Sequence, residues 1–136
     1  MNFLLDHNLP PSWARGLGEF SKDKFEFEVH VFSLREKFSP NTPDVTWLTE
    51  LGNQGDWVVV SGDFFRKGKS ERELIRKFGL NVFVLGKAWH DKHPFWARTA
   101  QLVHWWPRIV GQANTVNNTA VEVPWRTSGR FNQINL

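Results

Sequence analysis

The chain has 136 residues, 40% of them hydrophobic, which is enough for one domain around one core. No apolar run approaches the about 18–20 residues of a membrane helix, Asp6 and His7 interrupt the start before a signal-peptide core could form, and the lack of cysteine excludes disulfides and thiolate metal sites, so a cytoplasmic protein without membrane association is expected. Net charge is +3, but if four acids were committed to an internal site the remaining 10 would face 17 Lys and Arg, an outer balance of +7 that attracts polyanions.

Phe3-Leu4-Leu5 reads as a short buried strand with Asp6 at its carboxyl end. Asn8 then offers an N-cap oxygen, and Pro10 or Pro11 suits a first helical turn. Residues 10–20 carry Trp13, Leu17 and Phe20 at helical spacing. Residues 25–32 alternate apolar and polar, as a strand does. A loop with basic residues runs from Ser33 to Thr42, after which Thr42 as cap and Pro43 in the first turn start a second helix that Gly52 and Gly55 end. Trp57-Val58-Val59-Val60-Ser61 is an apolar run of the kind found in strands covered on both faces, and Gly62-Asp63 ends it.

Phe64 to Lys69 is a basic loop, and Ser70-Glu71-Arg72-Glu73 reads as a capping box for a third helix that stops at Gly79. Val82-Phe83-Val84-Leu85 is another buried strand. Pro94 to about Ala113 is the longest helical stretch, which Pro107 is expected to kink or split. Thr119 to Val123 alternates as a last strand would, and the polar residues from Thr127 to Leu136 are expected to be mobile. The β-α-β-α-β-α-β-α-(β) order predicts an α/β fold, a three-layer α/β/α domain around a mostly parallel sheet of four to five strands. Residues 1–113 would form its body, and residues 114–136 an extension of the same domain.

All strand carboxyl ends of such a sheet lie on one edge, where these folds bind ligands. Asp6 and Asp63 both fall there. Asp44 precedes Leu48 by four residues, and Glu71 precedes Ile75 by four, so each shares its helix's inward stripe at the first turn. Four carboxylates can thus converge on one pocket. Their mutual repulsion calls for protons or a cation, and hard oxygen ligands without cysteine suit Mg²⁺ or Mn²⁺. Such a site favours hydrolysis of a phosphodiester by water. Each acid also has a plainer reading: Asp44 and Glu71 as helix-dipole partners, Asp63 as a turn former, Asp6 as an organiser of its own loop.

At these residues the chain resembles the PIN-like ribonucleases, and within them the small variant of VapC-type toxins and Mut7-C-like proteins. Leu4-Leu5-Asp6-His7-Asn8-Leu9-Pro10 is similar to that variant's L-D-x-N-L-P opening. Thr42-Pro43-Asp44-Val45-Thr46-Trp47-Leu48 is similar to its T-P-D-x-x-W-L, and Ser61-Gly62-Asp63 to its strand ending in [ST]-x-D. Glu71-Arg72, ahead of the Gly79–Leu85 stretch, is similar to its E-R-x-x-L…G-V-x-V-F-x-L. The resemblance implies metal ligands at Asp6, Asp44 and Asp63, with Glu71 as a fourth catalytic acid. It implies Mg²⁺- or Mn²⁺-dependent cleavage of RNA, inhibition by an antitoxin protein, and a homodimer. Related chains often carry a second Asp two residues after the strand-end Asp, where this one has Phe65.

Arg66, Lys67, Lys69 and Arg72 are candidates for holding substrate phosphates, with Phe64 or Phe65 stacking a base; the alternative is a solvated loop. His7 could assist proton transfer beside Asp6 or simply fill the loop. His90 and His93 read as an exposed loop rather than a zinc site. Trp89, Trp96, Trp105 and Trp106 read as core or subunit interface. Ser61 could support a water at the site or donate to a carboxylate. A phosphoacceptor receiver domain would need an acidic pair after the first strand and a Lys after the last. A haloacid-dehalogenase-type phosphatase would need Asp-x-Asp where this chain has Asp6-His7-Asn8. A PIN-like scaffold binding RNA or protein without catalysis is the remaining alternative.

Overall fold

The computed structural model describes residues 1–63 and 68–135. Its elements in chain order are β1 (Asn2–Leu5), α1 (Pro11–Ser21), β2 (His30–Ser33), α2 (Leu34–Lys37), α3 (Asp44–Gln54), β3 (Trp57–Ser61), α4 (Lys69–Phe78), β4 (Asn81–Leu85), α5 (Ala88–Asp91), α6 (Phe95–Thr115), β5 (Ala120–Val123) and β6 (Asn132–Gln133). The strands form one six-stranded sheet in the order β2-β1-β3-β4-β5-β6. β1 to β5 run parallel, and β6 closes the edge antiparallel to β5.

The period of two along each strand sorts side chains onto two cores. Phe3, Leu5, Val58, Val60, Phe83 and Leu85 meet Trp13 and Leu17 of α1, Trp89 of α5, and Trp105, Trp106 and Ile109 of α6. Leu4, Val59, Val82 and Val84 meet Leu34 of α2, Trp47, Leu48 and Leu51 of α3, and Ile75 of α4. The result is a three-layer α/β/α fold, and burial of each large apolar side chain in it stabilises by about 1.5–3 kcal/mol. The chain lays β2 on one side of β1 and β3 on the other. The direction of winding therefore reverses between β1 and β3, which opens a crevice at their carboxyl ends. Among the described residues no helix is long and apolar enough to cross a membrane.

Several local expectations need correction. The strand expected over residues 25–32 begins only at His30. Its partner β1 starts at Asn2, paired with His30, so residues before it have almost no ladder to join; Phe25 and Phe27 instead stack on each other and pack against the core. Pro107 does not split α6, which runs unbroken from Phe95 to Thr115. The proline is exposed, on the side where a freed carbonyl can meet water. The C-terminal segment is not a loose tail: β6 pairs with β5, Phe131 packs against Phe83 and Trp105, and Arg108 donates to the carbonyls of Thr127 and Gly129.

The expected cap residues do other work. The N-caps of α1, α3 and α4 are Pro10, Pro43 and Gly68, none with a side-chain cap bond. Thr42 donates its hydroxyl to the Ser39 carbonyl. Gly52 lies inside α3, under the Phe78 ring. Ser70 falls within α4, not at its cap. Gly79 does end α4, in the left-handed conformation (φ 65°) that lets Leu80 N–H reach the Ile75 carbonyl.

Candidate metal centre

The alternation that buries Leu4 and Val59 on one face of the sheet puts Asp6 and Ser61 above them on that same face. Asp6 extends the ladder by one bond, its N–H donating to the Val60 carbonyl at 2.9 Å. Its side chain is fully buried. A buried carboxylate needs partners, and among the described residues His7 and Ser61 supply them. The His7 backbone N–H donates to Oδ1 at 2.7 Å, His7 Nδ1 lies 2.9 Å from the same oxygen, and the Ser61 hydroxyl is 2.8 Å from Oδ2.

Ser61 also reaches the second strand-end acid. Its Oγ is 2.9 Å from Asp63 Oδ1 and accepts the Asp63 N–H at 3.2 Å. A hydroxyl has one hydrogen and cannot donate to both carboxylates at once. One of the two contacts therefore sets oxygen lone pairs against a negative oxygen, unless a proton or a cation intervenes. Asp63 keeps 20% of its side chain exposed, and His7 Nε2 lies 4.0 Å from its Oδ2. A ring that donates its Nδ1 hydrogen to Asp6 in the neutral form would turn its Nε2 lone pair toward Asp63.

Asp6, His7 and Asp63 thus each offer one ligand atom, all within 4.8 Å of one another. Two carboxylates and an imidazole around a shared hydroxyl are a donor set that fits a divalent cation. His7 joins this group on geometry; in the sequence its only signal was adjacency to Asp6.

The loop after β3 is held from both sides. Gly62 N–H donates to Asn8 Oδ1 at 3.3 Å, so the expected helix cap serves as a cross-strand brace. The His90 ring packs directly on Gly62, with Nε2 3.3 Å from the Leu85 carbonyl, and a Cβ at position 62 would meet that ring. His90 is half-buried in α5 rather than part of an exposed loop, and His93 stacks face to face on Trp125 at 3.7 Å.

The other two acids lie outside the group of three. Asp44 is the first residue of α3, half-buried, and accepts the Trp47 indole N–H at 2.9 Å. It shares the wall of a cleft with His7. Glu71 is in the first turn of α4 and turns its carboxylate back over Gly68, Oε2 being 2.8 Å from where a Cβ there would stand. Lys69 is exposed and sits 3.9 Å from Glu73, while Arg72 is half-buried. Arg66 and Lys67, like Phe64 and Phe65, lie outside the described residues. Arg35 carries no signal in the sequence, where it reads as part of a loop; it belongs to α2, and its Nε donates to the His7 carbonyl at 2.6 Å. Trp89, Trp105 and Trp106 are core, whereas Trp96 is 79% exposed and borders an apolar groove with Phe20 and Phe95.

Neither a curated protein nor a solved structure matches the chain. A model of the PIN-like domain does match, over residues 1–87. That span runs from β1 past the end of β4 and takes in both strand-end carboxylates, Ser61, His7, Asp44 and Glu71. With the matched span covering most of the chain and the acids meeting at the reversal between β1 and β3, the chain belongs to the PIN-like domain family.

Proposed function

We propose that the chain is a divalent-metal-dependent endoribonuclease, cleaving single-stranded or structured RNA by attack of water on a phosphodiester, and that it is the toxin of a toxin–antitoxin pair. The observation that supports this most is the meeting of Asp6 and Asp63 on one Ser61 hydroxyl, with His7 Nε2 facing the same space. In this reading Asp6, Asp63 and His7 hold the ion, Mg²⁺ or Mn²⁺, and the imidazole tilts the preference toward Mn²⁺. When bound, the ion supplies Lewis-acid stabilisation of phosphoryl charge and a nucleophilic water. Ser61 orients the two carboxylates, and Asn8 and His90 hold the strand-end loop that carries Asp63. Asp44, on the wall shared with His7, adds a further carboxylate beside the centre. Arg35, Lys69 and Arg72, with Arg66 and Lys67, supply positive charge for the RNA backbone.

The reading assigns two protein partners, an inhibitory antitoxin and a second copy of the chain. The apolar groove at Phe20, Phe95 and Trp96 supports a protein contact. The test is incubation of the purified chain with single-stranded RNA in Mg²⁺, in Mn²⁺ and in chelator. Cleavage in metal, abolished by chelator and by Asp6→Asn, is expected; cleavage that survives both rejects the reading. A second reading, a PIN-like scaffold that binds without cutting, draws support from Asp44 and Glu71 lying outside the group of three. RNA binding with no cleavage in either metal would favour it.

A further inference from the structure

Beside the centre lies a cleft of about 400 Å³, bordered by α2 and the segment leading into α3. His7 belongs to both spaces: its Nε2 faces Asp63, and the residue lines the cleft. Leu34, Phe38 and Pro40 give the cleft apolar surface, and His7, Arg35, Ser39, Thr42 and Asp44 give it polar surface. Phe38 is partly buried against the core cluster of Leu4, Leu34 and Trp47 and still borders the cleft, so it is held in place while presenting surface to the cavity. Arg35 is exposed at the same cleft, steadied through its Nε on the His7 carbonyl.

An apolar slot with a polar rim suits a flat aromatic body better than a sugar or phosphate alone. A phosphodiester held through a cation at Asp6 and Asp63 brings its own nucleoside to the neighbouring space. We propose that the cleft is a base subsite, taking the unpaired nucleobase next to the phosphate at the metal centre, with Phe38 stacking on the base and Arg35 on the adjoining phosphate. The inference rests on the nuclease reading for the position of the phosphate and adds where the base goes. It makes the substrate unpaired at that position, because a base inside a duplex is already stacked between its neighbours. It also makes recognition there tolerant of base identity, since every base has a face to stack.

The probes are a fluorescent single-stranded oligoribonucleotide and a matched strand of abasic riboses. Each is bound to the full chain with Ca²⁺ present and Mg²⁺ and Mn²⁺ absent, with affinity read by anisotropy while a gel shows both strands intact. The wild type is expected to bind the intact strand on the order of tenfold more tightly than the abasic one. Phe38→Leu is expected to remove most of that ratio, and Phe38→Trp to keep it. Each ratio compares two ligands on one protein, so partial unfolding of a variant moves both arms together. A wild-type ratio near one, or a ratio unchanged in Phe38→Leu, overturns the subsite. The nuclease reading fails on a different result, intact RNA after incubation of the wild type with Mn²⁺ and with Mg²⁺, so the two failures are distinguishable.

Discussion

Asp6 and Asp63 face each other across the Ser61 hydroxyl, which lies 2.8 Å from Asp6 Oδ2 and 2.9 Å from Asp63 Oδ1. The single hydrogen between two carboxylates makes the centre sensitive to whatever positive charge enters it.

Ser61→Ala removes the shared hydroxyl from a buried position. Without metal it is expected to lower stability by about 1–3 kcal/mol, the cost of taking a partner from buried polar groups. Metal affinity should fall by about 10–100-fold, as for other residues that orient ligands. Urea denaturation with and without Mn²⁺ checks both. For the wild type, Mn²⁺ at a hundred times its dissociation constant should add about 2.7 kcal/mol.

Gly62→Ala would push a Cβ into the His90 ring and to 3.1 Å from Asn8 Nδ2. A loss of about 1–3 kcal/mol is expected from overpacking. In a His90→Ala background the same substitution should cost clearly less, because the two side chains are in contact. Equal costs in both backgrounds would show that the ring does not restrict position 62.

The two acids that meet on the shared hydroxyl should matter more to cleavage than the two outside that group. Asp6→Asn and Asp63→Asn are expected to lower RNA cleavage most, by about 10³-fold or more if they hold the ion. Asp44→Asn should have an intermediate effect, since its carboxylate accepts the Trp47 indole and borders the cleft beside His7. Glu71→Gln should change cleavage by less than about tenfold, because its carboxylate lies over the start of its own helix. Initial rates at saturating metal give the order.

The architecture was legible because buried parallel strands are continuous apolar runs. Trp57–Ser61 and Asn81–Leu85 are buried along their whole length, so position alone identifies their carboxyl ends. The pairing of Asp6 with Asp63 followed from β1 and β3 being neighbours. What the sequence hid depends on who stands next to whom. Asn8 has the chemistry of a helix cap, but its oxygen goes to Gly62 N–H because β3 lies alongside. Phe25, Phe27 and Val29 alternate like a strand, yet β1 begins too late to pair with them. The face of the His7 ring and the reach of Arg35 back to the His7 carbonyl are set by tertiary packing, which spacing does not encode.

The most direct test of the centre is calorimetric titration of Mn²⁺ into the wild type and into Asp63→Asn, which keeps the size of the side chain while removing its charge. Binding to the wild type is expected, with an affinity at least about 10–100-fold weaker in the variant. Equal affinities in the two proteins would contradict it, because the ion would then be held somewhere other than between Asp6 and Asp63.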